Sequence, residues 1–455
     1  MYRSRRNNME PTSLIAQEQD QLEQAVADAV LMAKKLGADQ AEVAVSRQTG
    51  ISVNTRMAEV ENIEFNHDGA LGISVYVDGR KGNSSTSDIS KESIARAVEA
   101  AIDIAKHTSQ DPFSGLADAD LLERQPQDLD LFHPASLDPE SGLALAKQCE
   151  EFALAADSRI VNSDGASFSS HLGIKVYGNS HDYVQSYLSS RHSLSCMLIA
   201  QQGDEMQRDY SYTMTRNIAD MWRPERVAQE AVERTVARLG ARKIDTCNCP
   251  VLFSADSAVS LFGHLVNAIS GGSLYRKSSF LLDSLGTQVF PSWLNISERP
   301  HIKSGLASSP FDAEGVKTQD REIISGGDLN TYLLTSYSAR KLGMTTTGHA
   351  GGIHNWFVQS NQGDFKDMLR QLGTGLYVTE LMGQGVNAVS GDYSRGAAGF
   401  WVENGELAFP VHEITIAGNL KDMFMGIQAV GSDIDTRSSL QTGSVLIDNM
   451  KIAGS

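Results

Sequence analysis

Apolar residues recur at helical spacing in four stretches of the first half of the chain. Leu22, Val26, Ala29, Val30 and Ala33 share one face, with Gly37 as a stop; Ile94, Ala97, Val98, Ala101, Ile102 and Ala105 repeat the pattern after Asp88 and Ser90. Both stretches predict amphipathic helices. A third helix is expected to open at Asp138 and Pro139, where the carboxylate can cap free amides and the ring suits the first turn. A fourth follows Pro224 through Val227, Ala231 and Leu239. Between the helices the period falls to two. Ile51, Val53 and Thr55 alternate, as do Leu71, Ile73 and Val75, with turn chemistry at His67, Asp68 and Gly69 and again at Asp78 and Gly79. Residues 71–76 and 172–177 echo each other, which suggests a duplicated αββ unit or two strands built from the same β-formers.

The second half opens with an apolar strand at Val251, Leu252 and Phe253. A helix carrying Val259, Phe262, Leu265, Val266 and Ile269 follows, with Gly271 and Gly272 as its expected end. Strands then dominate. Asn404 and Gly405 sit between two β-like runs as a hairpin signal, Val411, Ile414 and Ile416 continue the pattern, and Val445, Leu446 and Ile447 give a terminal strand. One short helix is expected between Asp364 and Leu372.

Composition divides the chain at the same place. Residues 1–245 carry 25 Lys+Arg against 37 Asp+Glu and 13 glycines, whereas residues 246–455 carry 14 against 19 and 26 glycines. Glycine density more than doubles, as in regions of tight turns and close backbone approach. The expected architecture is α+β in two domains: 14–245 with helices packed on antiparallel sheet, and 246–455 rich in β-strand. Residues 1–13 are expected to be a disordered N-terminal extension. The first eight residues are basic, but no apolar run follows them, so they do not read as a signal peptide. No apolar stretch is long enough for a membrane span, and four cysteines in 455 residues are too few for a disulfide scaffold. The chain is expected to be soluble and cytoplasmic. A net charge of −17 with no basic cluster argues against nucleic-acid binding.

Zinc hydrolases need three protein ligands and an open position, commonly with two His one helical turn apart and a Glu as base. No H-E-x-x-H motif or longer-spaced variant occurs. The segment GHAGGIHNW at 348–356 gathers two His, an Asn and a Trp in a Gly-rich loop. Its His and Asn side chains are expected to bond to neighbouring backbone and to line a groove; metal binding by His349 and His354, with a distant carboxylate such as Asp392, is the alternative. Cys247 and Cys249 lack a second ligand pair. Gly383 and Gly385 lack both a Walker Lys and a third glycine, so nothing supports a nucleotide cofactor. Residues 390–399 read as a turn between strands, not a nucleophile elbow.

Several segments resemble the TldD/PmbA family, also called the modulator of DNA gyrase family. They are TRMAEVEN at 55–62, RKSSFLLD at 276–283, TSYSAR at 335–340, GHAGGIHNW at 348–356, TELMG at 379–383 and SGDYSRGAAGFWVE at 390–403. The resemblance runs from about Leu14 to the C-terminus. It implies a two-domain fold and a heterodimer of TldD-type and TldE-type chains, acting as a cytosolic zinc peptidase on unstructured peptides. TldD-type chains carry H-E-x-x-x-H on a helix and a later Cys ligand. Here the matching helix places Gly263, His264 and Ala268 at those positions, and no cysteine follows Cys249. The resemblance is therefore to TldE-type chains, and it implies no catalytic or metal-binding residue in this chain, with zinc in the TldD-type partner. His264, His349, His354, Asn355, Glu380 and Arg395 are candidates for the groove or the interface. A surface that fits a similar partner also leaves open a homodimer when the chain is isolated. The family name also leaves open a non-enzymatic regulator of DNA gyrase.

Overall fold

A computed structural model describes residues 11–135 and 138–454. The first half contains α1 (Pro11–Lys35), β1 (Gln40–Arg56), β2 (Glu59–Val77), β3 (Arg80–Thr86) and α2 (Lys91–His107). It continues through α3 (Pro139–Ala156), β4 (Ile160–Asn179), β5 (Tyr183–Gln202), β6 (Glu205–Thr215) and α4 (Pro224–Ala237). The order αβββα thus occurs twice. The strands form one antiparallel sheet in the order β3-β2-β1-β4-β5-β6, so the two units join through β1 and β4. The echoed hexapeptides lie in β2 and β4, whereas the repeat equates β1 with β4; they flank β1 from opposite sides and do not record the duplication.

All four helices cover one face of this sheet. Leu22, Val26, Val98 and Ile102 of α1 and α2 pack on Val43, Val45, Leu71, Ile73, Ile174 and Val176. Ala146, Cys149 and Ala153 of α3 and Val227 and Ala231 of α4 pack on Ile51, Val53, Phe168, Leu194 and Leu198. Alternation along each strand leaves the opposite residues, such as Ala44, Ser46 and Lys175, on a helix-free face. At two helix starts the local chemistry is as the sequence predicts. Ser90 caps α2 through the Ser93 amide, and Asp138 caps α3 through the amides of Glu140 and Ser141 with Pro139 in the first turn.

Four local expectations are corrected. His67, Asp68 and Gly69 sit inside β2, paired with Thr49, Gln48 and Arg47; the chain reverses instead at Met57 and Ala58, both left-handed, where the Glu150 carboxylate accepts their amides at 2.7 and 2.9 Å. A buried carboxylate thus replaces the glycine that a sequence scan looks for. Gly271 and Gly272 open a new helix and do not end the preceding one. Gly271 is required there because a Cβ would lie 2.1 Å from Ser338 Oγ. Most of 390–399 is strand. Residues 1–10 of the expected extension lie outside the described residues, and Pro11, Thr12 and Ser13 are the first turn of α1.

The second half runs β7 (Cys247–Phe253), α5 (Ala255–Ala268), α6 (Gly271–Tyr275), β8 (Ile296–Glu298), β9 (Arg321–Ser325) and β10 (Asp328–Leu329). Next come α7 (Ser336–Lys341), β11 (Trp356–Val358), α8 (Phe365–Leu372), β12 (Gly375–Met382), β13 (Asp392–Glu403) and β14 (Glu406–Asn419). The chain ends with α9 (Leu420–Met425), β15 (Ile427–Val430), β16 (Leu440–Gln441) and β17 (Val445–Ala453). One sheet has the order β14-β13-β12-β7-β17-β15, and a further β14–β17 pairing, Thr415–Ala417 against Lys451–Ala453, closes five of these strands into a ring. Asn404 and Gly405 make the expected hairpin turn with φ of 53° and 78°. A second sheet, β10-β9-β8-β11-β16, carries residues of the candidate site. One core, including Phe262, Phe290, Trp356 and Phe424, serves both sheets. The fold is α+β.

Candidate functional site

Two groups of the sequence-predicted residues come together, in different places. The first is built on β8 and the loop before β11. Ile296 and Glu298 share the inward phase of β8, so the strand alternation that buries an isoleucine also buries an acid, 1% exposed. His349 and His354, 5% and 6% exposed, converge on it from the Gly-rich loop. His349 Nε2 lies 2.8 Å from Glu298 Oε2, and His354 Nδ1 lies 3.3 Å from Oε1. Oε1 also accepts the His354 backbone N–H at 2.8 Å and the Trp356 indole N–H at 3.0 Å. Burial pushes the Glu298 pKa up, but the His349 and His354 hydrogen bonds and charges outweigh burial and hold it well below the carboxylate range.

The third group of the cluster is thus Glu298, not Asp392, which is exposed and bonded to Ser390 and Asn419. The expectation that the loop histidines bond to backbone is corrected accordingly, because their side chains face a carboxylate. Asn355 does bond as expected. Its amide donates to Arg299 O at 2.9 Å and Ser308 Oγ at 2.7 Å and accepts the Ala307 N–H at 3.0 Å, which fixes residues 305–309 beside the loop. The ligand atoms of Glu298, His349 and His354 lie within 4.8 Å of one another, and among the described residues no other group of three or more such side chains does. Two His and a Glu are a set that zinc accepts. In this arrangement the imidazole nitrogens point at the carboxylate and are bonded to it.

The second group lies where α5 faces β13. Gly263 offers open space, Ala268 is buried, and neither has a donor atom. His264 stands edge-on to Tyr393 with ring centroids 5.9 Å apart and its Nε2 buried without a partner. Burial and the Arg395 charge lower its pKa. Arg395 donates to Ser260 Oγ at 2.8 Å. One imidazole and no other ligand on this helix face do not fit a zinc ion. Glu380 joins neither group. It pairs with Arg238, which also holds Asp209 at 3.2 Å, so it clamps β12 to the first half of the chain.

A cleft of about 850 Å³ opens between the helix-free sheet face and the loops 306–313 and 350–354. Ser46, Lys175, Ser189 and Arg191 form part of its floor, and His354 reaches its wall from the Glu298 cluster. Asp312 is the one carboxylate among its described lining residues. It accepts the amides of Glu314, Val316 and Ala350, and burial with the Glu314 charge raises its pKa to about 7. Glu298 was not anticipated; of this cleft, the 348–356 loop was expected to line a groove, and its residues 350–354 do. The only signal for Glu298 is an acid in the inward phase of a short strand; the sheet side of the cleft has none, since it is far from the loop in sequence.

Family models match over most of the chain. Residues 41–105 match domain 1, 132–239 the central domain and 246–454 the C-terminal domain of the PmbA/TldA metallopeptidases. The chain is 57% identical over 446 residues to metalloprotease PmbA of Escherichia coli O157:H7, covering 98% of this chain and 99% of that one. A protein of Bacteroides thetaiotaomicron, described as a proposed modulator of DNA gyrase, has the same fold with a TM-score of 0.90 at 27% identity, covering 95% and 99% of the two chains. TldE of Thermococcus kodakarensis shares the fold with a TM-score of 0.81 at 19% identity, covering 94% and 100%. The chain belongs to the PmbA/TldD metallopeptidase family.

Proposed function

We propose that this chain is the TldE-type subunit of a heterodimeric TldD/TldE zinc metalloprotease that acts on unfolded peptides in the cytoplasm. The observation that carries this reading is the α5 face, where Gly263, His264 and Ala268 offer a single imidazole in place of two His and a Glu. Without ligands the helix cannot hold zinc, and without the Glu it has no general base for water. Zinc and the hydrolytic step then belong to the TldD-type partner. This chain contributes a peptide-facing cleft and holds the partner in its active form. Microcin maturation and antitoxin degradation are the processes that the family resemblance suggests.

Zinc analysis of the lone chain and of the co-purified pair, with hydrolysis of an unfolded peptide, tests the proposal. Zinc and activity are expected only in the pair. Stoichiometric zinc in the lone chain would sink it.

A self-sufficient metallopeptidase is the second reading, favoured by the convergence of Glu298, His349 and His354. It requires peptidase activity from the chain alone that His349→Ala abolishes. A non-enzymatic gyrase regulator has only a relative's name behind it, and the −17 charge weighs against a DNA-binding version.

A further inference from the structure

The cleft carries a charge pattern unlike the rest of this acidic chain. Lys175, Arg191 and Arg216 line it, and among the described residues none has a carboxylate oxygen within 4.0 Å. Lys175 lies over the Tyr187 ring, 5.7 Å from its centroid. Arg216 is 9% exposed, yet its guanidinium meets only carbonyls: Ser190 O at 3.0 Å, Leu306 O at 2.7 Å and Gly305 O at 3.4 Å. Burial and the neighbouring Arg191 charge lower its pKa to about 10. A buried cation without a counter-charge is costly, and carbonyl dipoles repay only part of that cost.

The other lining charges are internally matched. Arg47 pairs with Glu18 at 3.0 Å and Arg437 with Asp435 at 2.8 Å. The single acid, Asp312, spends its oxygens on amides of its own loop and of Ala350. Three positive charges therefore remain unanswered in a cleft with low-dielectric walls, a geometry that concentrates field and attracts anions. The floor between them is polar: Ser46, Gln48 and Ser189 surround Gly173 of β4. An extended chain can lie there with its carboxylates toward Lys175, Arg191 and Arg216.

We infer that this cleft is a docking site for acidic segments of extended peptide, so that the subunit selects substrate by carboxylate content. The inference rests on the peptide-handling role proposed above and adds a substrate class to it. Carboxylates at the peptide C-terminus and on Asp or Glu side chains offer the same chemistry.

The test is fluorescence anisotropy on the full chain alone, using a labelled unstructured decapeptide rich in Glu, its C-terminally amidated form and a Gln-substituted form. The Glu peptide is expected to bind tighter than the Gln form, with an affinity that falls as salt rises. A loss on amidation alone assigns the terminal carboxylate; a loss on Glu-to-Gln exchange assigns the side chains. Lys175→Gln and Arg191→Gln alter exposed side chains and should each weaken binding by about two- to fivefold, while Arg191→Glu should weaken binding of the Glu peptide further than Arg191→Gln does.

Equal binding of Glu and Gln peptides, or unchanged binding in the Lys175→Gln/Arg191→Gln double variant, would overturn the inference. So would a self-associated state that the double variant dissolves, since a second copy would then fill the cleft. Because the measurement needs neither zinc nor partner, the two proposals fail separately. An inactive pair with charge-selective binding removes only the peptidase role, and an active pair without charge selectivity removes only the cleft.

Discussion

Glu298→Ala removes the acceptor on which four donor groups converge: two imidazoles, one backbone N–H and one indole N–H. With the carboxylate 1% exposed, solvent cannot replace it without opening the core around Trp356. Removing one partner of a buried charged network costs about 3–5 kcal/mol, because the remaining polar groups stay desolvated and unpaired. For a unit of roughly 200 residues that corresponds to a melting point lower by about 6–20 °C. Glu298→Gln keeps the shape and one acceptor oxygen but turns an NH2 toward one histidine, so about half of that loss is expected. Thermal unfolding followed by intrinsic tryptophan fluorescence, to which buried Trp356 contributes, measures both variants, with and without added zinc. If Glu298, His349 and His354 form a hydrogen-bonded hub, zinc should not raise the melting point of the wild type. A metal site would show stabilisation that grows with zinc concentration and vanishes in both variants. Glu298→Ala melting with the wild type would refute the assignment of the hub.

Other predictions concern pH and packing. The Glu298 pKa is depressed in the fold, so its contribution to stability is present above about pH 4.5 and is lost as pH falls below that value. Denaturation titrations from pH 6 to pH 3 should show this loss in the wild type and not in Glu298→Gln. Asp312 has the opposite sign: its pKa is raised from 3.8 to about 7, so stability declines as pH rises between those values. Asp312→Asn should remove that slope while leaving the Ala350 amide without its acceptor, at a fixed cost of about 1–3 kcal/mol visible in urea titrations at pH 4 and pH 8. Tyr337→Phe loses the 2.7 Å hydrogen bond to Asp111 that ties α7 to the first half of the chain. A loss of about 1 kcal/mol and faster proteolysis of the 107–118 segment are expected. Gly82→Ala places a Cβ 1.9 Å from Ala101 O and should lower soluble expression and melting temperature strongly, because β3 can no longer seat against α2.

Much of the fold was legible in local chemistry. The helical faces of α1 and α2, the Asp138 and Pro139 start of α3, the Asp78–Gly79 reversal and the Asn404–Gly405 hairpin all rest on interactions within a few residues, which the sequence carries directly. Where an expectation failed, a distant group had replaced the local signal. Met57 and Ala58 turn because Glu150, more than ninety residues away, accepts their amides. His67, Asp68 and Gly69 remain in β2 because Thr49, Gln48 and Arg47 hold them in register.

The candidate site divides along the same line. Sequence by itself showed which chemistry is missing: no pairing of His and Glu on α5 can be made from Gly263, His264 and Ala268, since absent donor atoms are a covalent fact. It also marked 349–355 as a loop of unusual composition. Only the tertiary structure decided what those residues do, because Glu298 reaches His349 and His354 across more than fifty residues, and because the cations of the cleft come from β4, β5 and the segment after β6, under walls from 306–313 and 350–354. Alternation along a strand says that Lys175 and Arg191 face away from the helices; it cannot say that no carboxylate answers them. That absence depends on every chain segment that might have packed there, and so it is a property of the folded whole.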